Sequence, residues 1–426
     1  MKRIVVTVAA ALVLLGAAAP ALAFNDPLSQ RQWNLAMIEA EAAHPTTTGS
    51  GAVVAIIDSG VHAAHEDLQG RLLPGRDIIQ NDADPQDENG HGTHVLGTAG
   101  ASSNNGAGIA SVAPGARYMP VRVLDEEGAG SDEHVAKGID HAVGSGADVI
   151  NLSLGDILPL SAIGVPSATE DAIRRALDAG VVVVAASGNN GLPLCEQPSD
   201  PRLICVGSVD KRRVRSMFSS NGDLMAPGGS GVPMRDEDIL SSYIDMPNDN
   251  QGPNSTYIEI PGTSQAAPHV AGVAALLVSL GLRGEAVKQR LLATATDAGP
   301  SGPDMQYGAG ILNARAAVSG LGPSGGAARG RASTRRRQRA RTLLRRGLRV
   351  RCTAPAAGRC TVTAEARGKT VMFGSRRVRP RRRATVVARA TRAGRRMLRR
   401  ARRLTLRVHV AFPGAPTKTL RVRVRR

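Results

Sequence analysis

Five short stretches in the first half of the chain, residues 52–57, 118–124, 149–154, 181–186 and 204–209, are rich in Val and Ile and show no polar face. Stretches of this length and pattern predict strands buried on both sides, as in a parallel sheet covered by helices. Helical periodicity fills the gaps between them, at 134–144 and at 170–179, where Gly180 is a stop signal. The alternation predicts an α/β domain, a doubly wound parallel sheet with helices on both faces, whose sites gather at the carboxyl ends of the strands. Asp58 stands at one such end and Asn189 follows another.

The last eighty residues follow a different rule. Stretches at 348–352, 360–364, 384–388, 404–410 and 420–424 alternate aliphatic with polar residues, as in Leu420-Arg421-Val422-Arg423-Val424. That period of two predicts a small C-terminal antiparallel β-sandwich with an arginine-coated exterior. Residues 394–403 break the period and predict a short basic helix. Between the two patterns, composition shifts to Gly, Pro, Ser, Ala and Arg, which predicts a linker over 321–345. At the other end, Lys2-Arg3, an apolar stretch over 4–15 and Ala21-Leu22-Ala23 read as a secretory signal peptide, 1–23, too short to be a membrane span. The expected organisation is therefore a signal peptide, a main domain over 24–320, the linker, and a basic accessory domain over 346–426, in a secreted protein.

Charge sharpens the division. The net charge of +18 conceals 32 Arg and 2 Lys against a single acid, Glu365, from Arg329 onward. That segment carries +33, so the remaining 328 residues carry the difference, −15. Two surfaces of opposite sign imply different partners. The basic one reads either as the arginine-bearing solvent face of an accessory domain or as a surface suited to an anionic cell envelope. Its only aromatics, Phe373 and Phe412, are too few for stacking on bases, which argues against nucleic acid. Export permits disulfides, and of three connectivities the local one, Cys195 with Cys205 and Cys352 with Cys360, keeps each pair within one compositional region.

Three Gly-rich frames carry the chemistry: VAIIDSGV ending at Val61, HGTHVLGTAG from His91, and GTSQAAPHVAG from Gly262. They present Asp58, His91 and Ser264 in one of the chain orders in which a Ser-His-Asp triad recurs. A serine hydroxyl needs an adjacent base to act as a nucleophile. His91 is that base, and Asp58 orients it. Ser264 opens an apolar helical stretch, and Pro268 is expected in its first turn, which leaves Ser264 at a helix N-terminus that favours developing negative charge. His94 and His269 are expected to have packing roles. Asn189, just past a buried strand, can supply an amide to an oxyanion.

With NLSLG at 151–155 and AASGN at 185–189, these frames make five motifs in order over about residues 24–318, and they resemble the subtilisin-like serine proteases, or subtilases. The resemblance implies a serine endopeptidase with Asp58, His91 and Ser264 as triad and Asn189 as oxyanion donor. It also implies a cleft in which a polypeptide substrate pairs as an added strand with Gly128, Ala129 and Gly130 on one side and Ser153, Leu154 and Gly155 on the other. That wall contains Leu154 and otherwise small residues, so the primary pocket is expected to be apolar. Similarity to the thermitase-like members implies structural Ca²⁺ at one or two places. One uses Asp77, Asp82, Asp84 and Gln86, with Asp84 replacing a hydroxyl residue. The other uses Asp26, Asp67 and Asn105 with backbone carbonyls of Ser102, Ala107 and Ile109. Gln265 departs from the family, which usually has Met after the serine and so an oxidation target there. The rival class is a non-catalytic surface-binding protein on a protease scaffold. A monomer is expected.

Overall fold

A computed structural model describes residues 24–155, 167–232, 237–244, 256–321, 331–353, 358–366, 369–379, 382–400, 403–412 and 415–425. The signal peptide expected over 1–23 lies outside the described residues. Two short helices, α1 (Trp33–Met37) and α2 (Ala40–Ala43), precede a seven-stranded parallel sheet. Its strands are β1 (Val53–Asp58), β2 (Arg76–Asp77), β3 (Arg117–Arg122), β4 (Val149–Leu152), β5 (Val182–Ala186), β6 (Ile204–Val209) and β7 (Leu224–Pro227), in the order β2-β3-β1-β4-β5-β6-β7. The five expected strands are all present.

Successive residues of each strand point to opposite faces, and both faces are covered. Val54 and Ile56 join one apolar cluster with α3 (His91–Gly100) and α6 (Thr263–Ser279). Ala55 and Ile57 join another with α4 (Asp132–Ser145) and α5 (Ala168–Asp178). Ser131 and Ser167 cap α4 and α5 by accepting from the amides of His134 and Glu170, satisfying donors that the first turn leaves free. In α6 only Ser279 of seventeen residues is not buried, so its Ala, Gly and Val side chains pack all round against the sheet and neighbouring helices. A hairpin of β8 (Ile239–Ser242) and β9 (Tyr257–Ile260) braces α3, with the hydroxyls of Ser241 and Ser242 donating to the carbonyls of His94 and Thr93. Helices α7 (Glu285–Ala293) and α8 (Ala314–Val318) complete the unit.

Register sets the active face. Ile57 pairs with Leu152, and Leu152 with Ala185. The next residue of each strand or strand extension, Asp58, Ser153 and Ala186, therefore forms one row at the carboxyl edge.

The C-terminal unit has strands β10 (Arg331–Ser333), β11 (Arg337–Arg339), β12 (Leu348–Thr353), β13 (Gly358–Ala366), β14 (Lys369–Val378), β15 (Arg383–Ala390), β16 (Arg403–Phe412) and β17 (Ala415–Arg425). They run in the order β10-β12-β15-β14-β13-β16-β17-β11, antiparallel except for β11 with β17. β14 and β15 pair over only two residues each, and the sheet segments on either side of that contact share one core of Leu348, Val350, Val362, Leu406, Val408 and their neighbours. Helices α9 (Ala340–Arg346) and α10 (Arg392–Arg400) pack with it. The linker expectation over 321–345 needs correction, because β10, β11 and most of α9 fall inside it. The strand Arg337-Gln338-Arg339 has no aliphatic alternation to announce it, and it exists because β17 offers it an edge. The basic helix ends at Arg400 rather than 403, since Arg403 already begins β16. Both local disulfides are formed, Cys195–Cys205 and Cys352–Cys360. Among the described residues no helix is long and apolar enough to cross a membrane.

Candidate active site

His91 is the first residue of α3, and its Nδ1 donates to Asp58 Oδ1 at 2.7 Å. The Ser59 amide donates to the same oxygen at 2.8 Å. This pairing leaves Nε2 as the basic atom of the ring. Burial pulls the imidazole pKa down, but the charge and hydrogen bond of Asp58, with Asp87 beyond, outweigh it, and the net shift is upward. Asp58 is fully buried, whereas the His91 side chain keeps 26% of its surface exposed.

Asp87, which the motif reading did not single out, braces the segment that carries His91. Its two oxygens accept from Ser59 Oγ (2.9 Å), the amides of Asn89 (3.1 Å), Gly90 (2.8 Å) and Thr93 (2.9 Å), and Thr93 Oγ1 (2.6 Å). One buried carboxylate thus ties the residue after Asp58 to the start of the His91 helix. The only hint in sequence is an acid four positions before the histidine.

Ser264 is the second residue of α6, and its hydroxyl donates to the Ser153 carbonyl at 3.3 Å, a long contact that leaves it loosely held. No hydrogen bond joins it to His91 among the described residues, as is common before substrate binds. Pro268 is not in the first turn, as the sequence led one to expect, but at the sixth helical position. It has no N–H, so the Ser264 carbonyl four residues earlier loses its helical donor. Ser153 Oγ donates to that carbonyl at 2.7 Å, and Asn151 Nδ2 donates to Ser153 Oγ at 2.9 Å. A proline is tolerated inside this helix because a strand-end serine replaces the missing bond.

Asn189 follows β5 and is exposed. Its Oδ1 accepts from the amide and the hydroxyl of Thr263, both at 3.0 Å. The carbonyl oxygen is held by the residue before the nucleophile, and among the described residues nothing accepts from the amide Nδ2. Behind this turn lies Glu196, fully buried, which neither motif nor charge pattern singled out. Its carboxylate accepts from the amide (3.3 Å) and Nδ2 (2.8 Å) of Asn190 and from the Ser220 hydroxyl. Gly188 has φ +107°, and a Cβ there would stand 2.2 Å from the Glu196 carboxyl carbon. The adjacent disulfide fastens this acid to β6. Gln197, next to Glu196, donates from Nε2 to the Leu154 carbonyl at 3.4 Å.

Of the cleft residues, Leu154 is buried and Gly155 exposed. Gly128, Ala129 and Gly130 form an exposed turn held by the Ala129 amide donating to Asp125 Oδ1 at 2.8 Å. Asn89 Nδ2 donates to the Glu126 carbonyl at 2.9 Å and so links this turn to the loop before His91. His94 and His269 are buried and serve packing. His94 Nε2 faces the Ile239 and Ile258 carbonyls, and burial pushes its pKa down to about 3. His269 lies between Asn34 and the Gln265 carbonyl, with its pKa down to about 4 for the same reason.

The residues proposed for cations separate into two groups. Asp26 accepts from the amides of Asn104 and Asn105, and Asp67 from Asn105 Nδ2 (2.9 Å), the Ile109 amide (2.8 Å) and Tyr257 (2.9 Å). Both acids are buried around the loop that carries Ser102, Asn105, Ala107 and Ile109, with no ion-pair partner among the described residues. Burial raises the Asp67 pKa. In the second group Asp77 is buried with Arg122 at 3.4 Å, while Asp82 and Asp84 are exposed and Gln86 turns its amide to His62. Among the described residues no three His, Cys, Asp or Glu side chains converge as a metal site, so any ion must draw on amide and backbone oxygens.

The model of the Subtilase family matches residues 49–310. Thermitase of Thermoactinomyces vulgaris is 40% identical over 299 residues, 69% of this chain and 98% of that protein. Subtilisin Savinase of Lederbergia lenta is 38% identical over 293 residues, 67% of this chain and 98% of its own. Among solved structures, a protease from Pseudoalteromonas arctica superposes with a TM-score of 0.60 at 33% identity, covering 70% of this chain and 99% of that one.

Proposed function

The chain belongs to the subtilase family and is a serine endopeptidase, and we propose that Ser264, His91, Asp58 and Asn189 carry its chemistry. The observation that carries this reading is the 2.7 Å bond from His91 Nδ1 to Asp58, in a row of strand ends that also holds Ser153 against Ser264. As Ser264 Oγ attacks the scissile carbonyl carbon, His91 Nε2 takes its proton. The negative charge passes to the carbonyl oxygen, where Asn189 Nδ2 and the Ser264 amide at the start of α6 donate to it. When the carbonyl re-forms, the C–N bond breaks and His91 returns the proton to the leaving amine. Water then attacks the acyl-enzyme with His91 again as base, releasing the acid and restoring Ser264. Asp58 holds the ring in the required tautomer throughout.

The substrate is a polypeptide laid as a strand between 128–130 and 153–155. The signal-like N-terminus supports export, and the basic unit supports retention on an anionic envelope surface, with the enzyme acting as a monomer. For calcium, the Asp26, Asp67 and Asn105 group fits a hard divalent cation, because two buried acids share one loop without a cationic partner. At Asp77, Arg122 already supplies counter-charge, so Asp82, Asp84 and Gln86 are the weaker set. A bound ion there would tie the N-terminal segment to the 102–109 loop.

Fluorophosphonate labelling tests the nucleophile. One label per chain is expected for the parent, and none for Ser264→Ala. Labelling that persists in the variant refutes the assignment.

A further inference from the structure

Where β16, β17 and β11 lie side by side in the C-terminal sheet, strand register sets arginine opposite arginine four times. Across β16 and β17, Arg407 faces Arg421 and Arg403 faces Arg425; across β11 and β17, Arg337 faces Arg423 and Arg339 faces Arg425. All are exposed, and none of these side chains is in an ion pair among the described residues. Glu365, the one acid of this segment, sits 3.6 Å from His409. Like charges directly opposite one another destabilise a sheet. The register cannot slip to relieve them, because a one-residue shift would turn Leu404, Leu406, Val422 and Val424 out of the core. Where these rows meet, a cavity of about 320 Å³ opens, walled by Arg403, Thr405, Arg423 and Arg425 over Leu404 and Val424.

We propose that this arginine-walled cavity binds a linear phosphodiester polymer without bases, of the kind carried by an anionic cell envelope. Guanidinium groups grip phosphate oxygens in pairs, which ammonium groups cannot do, and the segment uses arginine almost to the exclusion of lysine. Alternate residues on one strand lie roughly 6.8 Å apart, so Arg421, Arg423 and Arg425 present a row of charges that meets successive phosphates of a flexible chain. Thr405 adds a neutral donor. A nucleic acid fits less well. Phe373 is the one large aromatic exposed among the described side chains of this unit, and it stands in the row of Arg389, away from the cavity. The proposal deepens the envelope-retention reading above and gives it a location and a ligand.

The test uses the full chain with Ser264→Ala to prevent autolysis, titrated with synthetic poly(glycerol phosphate) at several salt concentrations. Oligo-dT and polyglutamate serve as competing polyanions. Replacing Arg403, Arg423 and Arg425 together by Gln is expected to weaken binding at least tenfold and to lower the salt slope by about 2. It should leave the melting temperature unchanged or higher, because like charges have been removed. Replacing Arg349, Arg351 and Arg389 by Gln, three exposed arginines elsewhere on the sheet, should weaken binding less than threefold. Equal losses in both triples, or oligo-dT or polyglutamate binding as tightly as poly(glycerol phosphate), overturn the proposal. Retention on isolated envelopes is scored separately. Polymer binding without envelope retention would remove the retention reading and leave the site intact.

Discussion

At the scale of single residues, two buried acids brace the backbone around His91 and Asn189. Asp87 accepts five hydrogen bonds, from Ser59 and from residues on either side of His91, and Glu196 accepts three, from Asn190 and Ser220, beside Asn189. Both are cases of a buried charge that is tolerable because its oxygens are satisfied. Glu196→Ala removes the acceptor of three hydrogen bonds, two from Asn190 and one from the Ser220 hydroxyl, which loosens the turn. The expected outcome is a fall in kcat of about tenfold to a hundredfold with KM little changed, since a small misplacement of a transition-state donor is felt mainly in the chemical step. Glu196→Gln keeps one carbonyl acceptor and should recover most of the loss. Steady-state kinetics on a peptide substrate decide: if Gln is no better than Ala, or KM rises with kcat unchanged, Glu196 does not position the oxyanion amide.

Elements explain why the nucleophile stands where it does. A helix with almost no exposed residue, carrying a proline at its sixth position, survives because Ser153 supplies the bond that Pro268 removes. Ser153→Ala should therefore cost about 1–3 kcal/mol of unfolding free energy, the penalty for a buried acceptor left unpaired. Pro268→Ala restores an N–H within reach of the Ser264 carbonyl, so the two changes should couple by roughly 1 kcal/mol. Urea unfolding of the four proteins of that cycle, all carrying Ser264→Ala, measures it. Strict additivity would mean that Ser153 serves only the cleft. Much of this element was legible in sequence, where GTSQAAPHVAG announced a helix starting at the serine. The proline was misplaced because its tolerance depends on a residue 115 positions earlier, beyond any local rule.

For the whole molecule, the 102–109 loop is held from two sides by buried carboxylates, Asp26 of the N-terminal segment accepting from the Asn104 and Asn105 amides and Asp67 from the Ile109 amide. Excess EDTA is expected to lower the melting temperature of the Ser264→Ala protein by about 5 °C or more, and Asp67→Asn to shrink that difference. A melting curve indifferent to EDTA would falsify the calcium assignment. The C-terminal unit rests on a different balance, in which alternating aliphatics hold a register that its arginines oppose.

Local pattern was enough to establish the α/β class, the antiparallel character of the basic unit, both disulfide pairings and the order of Asp58, His91 and Ser264. Strand period, helix period and short-range frames are properties of neighbouring residues, so they are written along the chain. The roles of Asp87, Glu196 and Ser153, the strand at 337–339 and the arginine-walled cavity were decided only by folding. Each depends on a partner brought close by strand register or by packing across the sheet, and a buried acid or an edge strand has no signature until that partner arrives.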